Sequence, residues 1–405
     1  MKSINHLFQA RSGEDYQRNN FDSFLKKNKF RFDIPVIHVA GTNGKGSVCY
    51  YLSNIYQKAG YKVGRFISPH LVEVNESISI NGKDIKDEEI ETLINYDLKL
   101  INKYDLSSFE VLTYIALKYF QNNKCDIAII ECGMGGEVDA TNIIESTVLS
   151  IITSVSLEHT SFLGKSVSEI AEQKAGIIKD GIPVLIGDLE EDALSVITSA
   201  CKEHKSALNT ISIFANEQLN DEGYKFAYTS FGDLAIRSHA LYSIKDATFA
   251  LDATEILKDD FPVSLDSVKE GLLATIVPCR FDIVKNDPLT IIDGAHNPES
   301  MEKLTKSLQK AYENQKINVV IACFKDKNIN SMLASIGQIA NKITLTTFNH
   351  SRARNKDDYF LYADEYQFVD NALEAIELSK EEDTIIVITG SLAFAGYIKN
   401  TYFKE

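Results

Sequence analysis

The sequence predicts an α/β protein: a mostly parallel sheet domain with helices on both faces, followed by a smaller α/β unit. Three observations carry that expectation. Short, almost wholly apolar runs recur from residue 34 onward, as strands buried on both faces require. Amphipathic stretches of helical length lie between them, which is how parallel strands are joined. The pattern loosens over about 205–240 and restarts near Pro278.

Taken in order, 34–40 reads as a strand, 41–47 as a glycine-rich turn and 46–59 as a helix. A second strand covers 62–67. Ser107, Ser108, Phe109 and Glu110 have the spacing of a capping box, opening a helix to about 122. The apolar runs 125–131 and 148–155 read as buried strands. The stretch 205–240 adds shorter alternating segments, read as antiparallel. In the second unit, 289–292, 317–323, 343–347 and 384–389 read as strands, with helices at about 298–312, 328–341 and 371–380. The boundary is placed at 278.

At 405 residues the chain suits two or three domains. Its net charge of −15 argues against nucleic acid as the main ligand, because phosphate backbones are bound through clustered Lys and Arg. Small anions stay admissible, since one loop of N–H groups and a single Lys can hold them. Six cysteines without a C-x-x-C pair suggest neither zinc nor a disulfide framework and fit a reducing cytoplasm. The first residues lack a signal-peptide apolar stretch, and no run approaches a membrane span.

Four motifs carry chemistry. In the first, Gly41, Gly44 and Gly46 let the backbone approach an anion. Lys45 adds charge, Ser47 a hydroxyl, and the following helix points its positive end at the same place. Gly46 between Lys45 and Ser47 departs from G-x-x-x-x-G-K-[ST]; the competing reading is a strand-to-helix turn that needs glycines. In the second, Glu131 ends an apolar strand at its carboxyl edge, where ligands of open sheets gather, and could hold Mg²⁺; the alternative is a helix-capping carboxylate. His159 and Ser68 are weaker candidates, a lone His being more often packed or hydrogen-bonded.

In the third, Lys174 shares an apolar helical face with Val167, Ile170 and Ala171. Snorkelling is the leading reading; a desolvated amine reacting with CO₂ is the other. In the fourth, 291–298, a strand ends in Asp293, turns at Gly294 and opens a helix at Pro298. Asp293 could bind a ribose hydroxyl, His296 a phosphate and Arg280 a polyphosphate, against plain turn chemistry.

Together these segments resemble the Mur ligase superfamily, specifically the folylpolyglutamate synthase/dihydrofolate synthase family. The matches are HVAGTNGKGS (38–47), SPHL (68–71), ECGMGGEVDATN (131–142), LEHTSFLG (157–164), EQKAGIIK (172–179), PCRF (278–281) and IDGAHNP (292–298). The resemblance implies a P-loop-type ATP-binding domain at 1–277 and a Rossmann-like C-terminal glutamate ligase domain at 278–405. It implies that Gly41, Thr42, Asn43, Gly44, Lys45, Gly46 and Ser47 hold ATP phosphates, with Arg280 and Asp293 also on ATP. Ser68, Glu131 and His159 would coordinate Mg²⁺, Lys174 would be carbamylated, and His296 would act near the transferred phosphate. Ser107, Ser108, Phe109, Glu110, Val138, Asp139 and Ala140 match pterin-binding segments.

Three departures stand out. Cys279 occupies a position where the family often has Gly. Asp246 stands where an ATP-contacting Asn is usual, putting an anion beside a nucleotide. The family's N-terminal pterin segment has no clear counterpart within 10–30. The implied activity is ATP-dependent ligation of L-glutamate to dihydropteroate and to reduced folates, through an acyl phosphate, by a cytoplasmic monomer. Its rivals are a single folate activity, a UDP-muramoyl amino-acid ligase, and a switch protein that only hydrolyses nucleotide.

Overall fold

The computed structural model describes residues 18–403; the chain start and residues 10–17 of the N-terminal pterin expectation lie outside them. The chain divides into two compact units. One comprises the described residues to Ala215 with Ala227–Leu234 and Asp246–Thr275; the other comprises Asn216–Phe226, Ala235–Lys245 and the residues from Ile276.

The first unit is built on eight strands: β1 (Val36–Ala40), β2 (Val63–Phe66), β3 (Ile78–Ile80), β4 (Lys83–Asp84), β5 (Ile127–Glu131), β6 (Thr147–Ile152), β7 (Val184–Ile186) and β8 (Leu208–Thr210). Their order is β4-β3-β2-β5-β1-β6-β7-β8. β1 lies between β5 and β6, parallel to both; β3 and β4 add an antiparallel edge. Every residue of β1 and β5 is buried, which is why both are apolar except at His38 and the terminal Glu131. On one face, Val36, Phe66, Ala128 and Ile130 pack with Phe24, Ile94, Tyr114 and Phe120 from three helices. Beside them Ala40, Ile152 and Ile186 pack with Ile170, Ala171 and Ile197. The helix Lys45–Lys58 packs on β1, β2 and β5 and against the helix Leu265–Ala274.

The capping box at 107–110 is formed: Glu110 N–H donates to Ser107 Oγ at 3.3 Å and Ser107 N–H to Glu110 Oε2 at 2.7 Å, opening the helix Ser108–Asn122. Such a cap is worth about 1 kcal/mol. The 18-residue helix Asp87–Tyr104 and the two short strands before it are additions to the elements read from sequence.

The 205–240 stretch supplies a separate three-stranded sheet, order β11-β10-β9, from β9 (Phe214–Asn220), β10 (Gly223–Tyr228) and β11 (Gly232–Ile236). The second unit's sheet comprises β12 (Asp282–Asn286), β13 (Leu289–Ile292), β14 (Lys316–Ile321), β15 (Lys342–Thr346), β16 (Gln367–Val369) and β17 (Thr384–Thr389), in the order β12-β13-β17-β14-β15-β16. Only β12 runs antiparallel to its neighbour. Ile291, Val319, Ile321 and Val387 pack there with Met301, Leu304, Leu308 and Met332.

All six cysteines are buried and free. Among the described residues, no helix is long and apolar enough to cross a membrane.

Candidate active site

The 41–47 turn leaves the carboxyl end of β1 and is shaped by the segment that leaves β6. Thr42 N–H donates to Ser154 O at 2.9 Å and Asn43 N–H to Ser154 Oγ at 2.9 Å. Thr153 Oγ1 donates to Asn43 O at 2.6 Å, and Ser156 N–H to Thr42 Oγ1 at 3.1 Å. Thr153, Ser154 and Ser156 were not singled out in the sequence; their signal is a polar Thr-Ser-x-Ser run directly after an apolar strand. Two glycines are required here. Gly41 has φ 149°, and a Cβ on it would lie 1.9 Å from Thr153 Oγ1. Gly44, the N-cap of the helix Lys45–Lys58, has φ 87°, and its Cβ would lie 2.8 Å from Asp246 Oδ1. The same geometry brings Asp246 against the loop.

Lys45, Gly46, Ser68 and Glu131 come together beside this turn. Glu131, buried at the end of β5, receives Ser68 N–H on Oε2 at 3.1 Å and has Lys45 Nζ 3.8 Å from Oε1. Lys45 Nζ also donates to Thr42 O at 3.3 Å. A Cβ on Gly46 would lie 3.3 Å from Glu131 Oε2. Ser68 Oγ is buried without a hydrogen-bond partner among the described residues, an orphaned oxygen next to a carboxylate. That donor set, completed by phosphate oxygens and water, fits a hard cation such as Mg²⁺. The loop after Ser68 is fixed by Glu76, whose carboxylate accepts from the N–H groups of Leu71, Val72 and Glu73. His159 precedes the helix Thr160–Leu163, with its Nε2 3.9 Å from Glu158 Oε1. Lys174, near the end of the helix Val167–Ala175, is only 2% exposed, so its head is not in bulk water as snorkelling requires.

The segment after Glu131 folds over Phe109. The Phe109 ring lies on Gly133, where an added Cβ would meet Cζ at 2.5 Å, and stacks on Phe66 at 5.9 Å. Asp139 is buried and caps the turn Ala140–Ile143. Its carboxylate accepts from Met134 N–H at 2.8 Å, Thr141 N–H at 2.9 Å and Thr141 Oγ1 at 2.6 Å. Burial raises its pKa, opposed by these donors. Val138 is among the more exposed apolar residues.

In the second unit Arg280, Asp293, Gly294 and His296 form one constellation. Asp293 is buried; its carboxylate accepts from Tyr242 Oη, from Phe281 N–H at 2.8 Å and from Ala295 N–H at 2.8 Å. Burial lifts its pKa against the pull of Arg280 and these donors. Gly294 N–H donates to Cys279 O at 2.9 Å, and a Cβ on Gly294 would lie 2.4 Å from Arg280 Nη1. His296 Nδ1 is 2.9 Å from Gly294 O. Asn297 caps the helix Pro298–Ala311, with Pro298 at its start.

Cys279 has φ 55°, a left-handed conformation that costs a non-glycine residue about 1 kcal/mol. This explains why a glycine suits the position. Cys279→Gly is expected to leave stability within about 1 kcal/mol, relief of backbone strain offsetting the lost burial of a small side chain. A denaturant midpoint lower by the equivalent of more than about 2 kcal/mol would contradict this account.

The chain is similar to known proteins over most of its length. Residues 39–245 match the Mur ligase middle domain and 279–392 the Mur ligase glutamate ligase domain. The dihydrofolate synthase/folylpolyglutamate synthase of Bacillus subtilis is 33% identical over 387 residues, covering 90% of each chain. The dihydrofolate synthetase of Saccharomyces cerevisiae is 34% identical over 399 residues, covering 90% of this chain and 92% of the relative. Among solved structures, Mycobacterium tuberculosis folylpolyglutamate synthase complexed with ADP and AMPPCP superposes with a TM-score of 0.92 at 25% identity, covering 100% of this chain and 98% of that one. Escherichia coli FolC in complex with DHPP and ADP gives a TM-score of 0.88 at 26% identity, covering 98% of this chain and 96% of that one. With the 41–47 turn, the Glu131 cluster and the 293–298 turn all carried on these matching domains, the chain belongs to the dihydrofolate synthase/folylpolyglutamate synthase family of the Mur ligases.

Proposed function

We propose that this protein joins the amino group of L-glutamate to dihydropteroate, and to the terminal glutamate of reduced folates, using ATP and Mg²⁺ through an acyl phosphate. The observation that carries the reading is the 41–47 turn seated beside Glu131 and Ser68, in a chain 33% identical over 387 residues to a protein named for both activities.

The chemistry sets what the site must supply. A carboxylate is a poor electrophile with no leaving group. Its oxygen therefore attacks the γ-phosphorus of ATP, and the bond to the ADP oxygen breaks. The glutamate nitrogen, as free amine, attacks the resulting acyl phosphate. The C–N bond forms, the C–O bond to phosphate breaks and the nitrogen releases a proton. Backbone N–H groups at the start of the helix Lys45–Lys58, the Asn43 and Ser47 side chains and Lys45 Nζ hold the phosphates and oppose the growing charge, while Gly41 and Thr42, the latter bonded to Ser154 and Ser156, shape the cradle around them. Ser68 and Glu131, with His159, would hold Mg²⁺, which neutralises phosphate charge when bound. Asp246 borders the nucleotide, and Lys174 is read as a carbamate. Ser107, Ser108, Phe109, Glu110, Val138, Asp139 and Ala140 are read as the acceptor's seat, with Asp139 acting through the turn it caps. On the second unit, Arg280 and Asp293 are read as nucleotide-facing and His296 as phosphate-facing, with the ligase domains divided at 278. A cytoplasmic monomer completes the reading.

The test is one assay of purified protein with ATP, Mg²⁺ and glutamate, comparing dihydropteroate with tetrahydrofolate and identifying products by mass. Glutamylated products from both acceptors are expected. Product from only one would restrict the enzyme to that activity. Phosphate release that ignores glutamate and acceptor would instead favour a nucleotide-hydrolysing switch.

A further inference from the structure

A buried polar chain links the strand that carries the phosphate turn to the loop after β5. His38 lies on β1, fully buried, shortly before Gly41. Its Nε2 is 2.8 Å from Thr141 Oγ1 and 3.1 Å from Cys132 Sγ. Thr141 Oγ1 lies 2.6 Å from Asp139 Oδ1, and Asp139 Oδ2 accepts from Met134 N–H at 2.8 Å.

The direction of each bond follows from the donor inventory. The Asp139 carboxylate can only accept. Thr141 has one hydroxyl proton, and the carboxylate is the strongest acceptor in reach. The Thr141 oxygen must then accept from His38 Nε2–H, with Cys132 Sγ as a weaker second acceptor. That fixes the Nε2–H tautomer and leaves Nδ1 as a bare lone pair. Nδ1 is buried with no partner among the described residues, consistent with an unprotonated nitrogen. Burial, reinforced by the charge of Lys179, lowers the His38 pKa to about 3, so the ring is neutral at physiological pH.

A buried lone pair that meets no donor among the described residues carries a desolvation cost, and an apolar side chain at position 38 would avoid it. What the imidazole provides instead is one donor at one place. The chain it starts runs from β1 through Thr141 to Asp139, whose carboxylate holds both sides of the loop after Glu131, at Met134 and at Thr141.

We propose that His38 is a positioning residue: through Thr141 and Asp139 it fixes the 133–141 loop, and with it the seat of the pteroyl acceptor, relative to the phosphate turn on its own strand. The seat clause rests on the function proposed above; the mechanical link does not.

Steady-state kinetics of the full chain test this, with KM measured separately for tetrahydrofolate and for ATP. His38→Ala and Thr141→Val are expected to raise the acceptor KM about tenfold while the ATP KM stays within about twofold. His38→Gln, which carries an amide donor at similar reach, is expected to return the acceptor KM to within about threefold of the parent. Thr141→Val keeps the side-chain volume, so it decides the matter if His38→Ala fails to fold. Equal changes in both KM values, no change in either, or a His38→Gln that behaves like His38→Ala would overturn the proposal. Val138→Arg reads the seat independently. If it leaves the acceptor KM unchanged while His38→Ala raises it, the seat moves away from Val138 and the link stands. If it raises that KM while His38→Ala and Thr141→Val do not, the link falls.

Discussion

Lys45→Ala is expected to abolish ligation while leaving the protein folded. Lys45 is the cation of the 41–47 turn, proposed above to hold phosphate, with Nζ 3.3 Å from Thr42 O and 3.8 Å from Glu131 Oε1. Charge moves onto the phosphate oxygens as the bond to ADP breaks, and a fixed donor aimed there typically contributes about 10²–10³ in kcat. Lys45 is both donor and charge, so a loss of at least about a thousandfold in kcat/KM is expected, with kcat falling further than KM rises. The fold should persist because the turn is held by Thr153, Ser154 and Ser156 rather than by the lysine. Glutamate-dependent product formation and a thermal melt on the same preparation check both halves. Near-normal turnover in a folded variant would remove the turn from the mechanism.

Lys174→Ala carries the second large effect. Lys174 is buried at the end of its helix. A neutral amine there can take up CO₂, forming an N–C bond and releasing a proton, which leaves an anion where a protonated lysine would carry a positive charge, able to orient a metal-bound or phosphate-bound group. On the carbamate proposal, loss of the anion is expected to lower kcat by about a hundredfold or more, comparable to removing one preorganised electrostatic group. Acetate or a similar short carboxylate, filling the space left by the side chain, should restore part of the rate. Intact-peptide mass measurement gives an independent reading: a gain of one CO₂ on the peptide carrying Lys174 is expected. A fully active enzyme with an unmodified lysine would end the carbamate assignment.

Both results depend on features that differ in how openly the sequence displays them. The central strands are readable end to end because burial on both faces favours apolar and β-branched residues: β13 at Leu289–Ile292 and β17 at Thr384–Thr389, aliphatic apart from threonines, coincide with the runs read from sequence. β6 stops at Ile152 although its run continues to Val155, because Thr153 and Ser154 leave the sheet to bind Asn43. The helix Asp87–Tyr104 is harder to see. Ile90, Leu93, Ile94 and Ile101 keep helical spacing, but the buried face also contains Asp97, which accepts from Tyr114 and Lys118. β3 and β4, with 3 and 2 residues, are too short to show a period.

The same division runs through the candidate site. Residues 41–47 and Glu131 announce themselves because each sits in one local motif at the end of one strand. The approach of Asp246 to Gly44, and of Ser68 to Glu131, comes from distant parts of the chain meeting at a sheet edge. His38 is the extreme case. In sequence it is a lone histidine in an apolar strand; its donor role exists only because Thr141 and Asp139 fold back onto that strand.

The burial of all six cysteines has a practical side. A thiol-directed dye meets no accessible native sulfur on the folded chain, so site-specific labelling needs no prior removal of cysteines. Ile213 and Leu361, each 87% exposed and each in a different unit, are ready positions for introduced thiols. A fluorophore pair there would let single-molecule energy transfer follow the distance between the units through a catalytic cycle, in an otherwise native sequence.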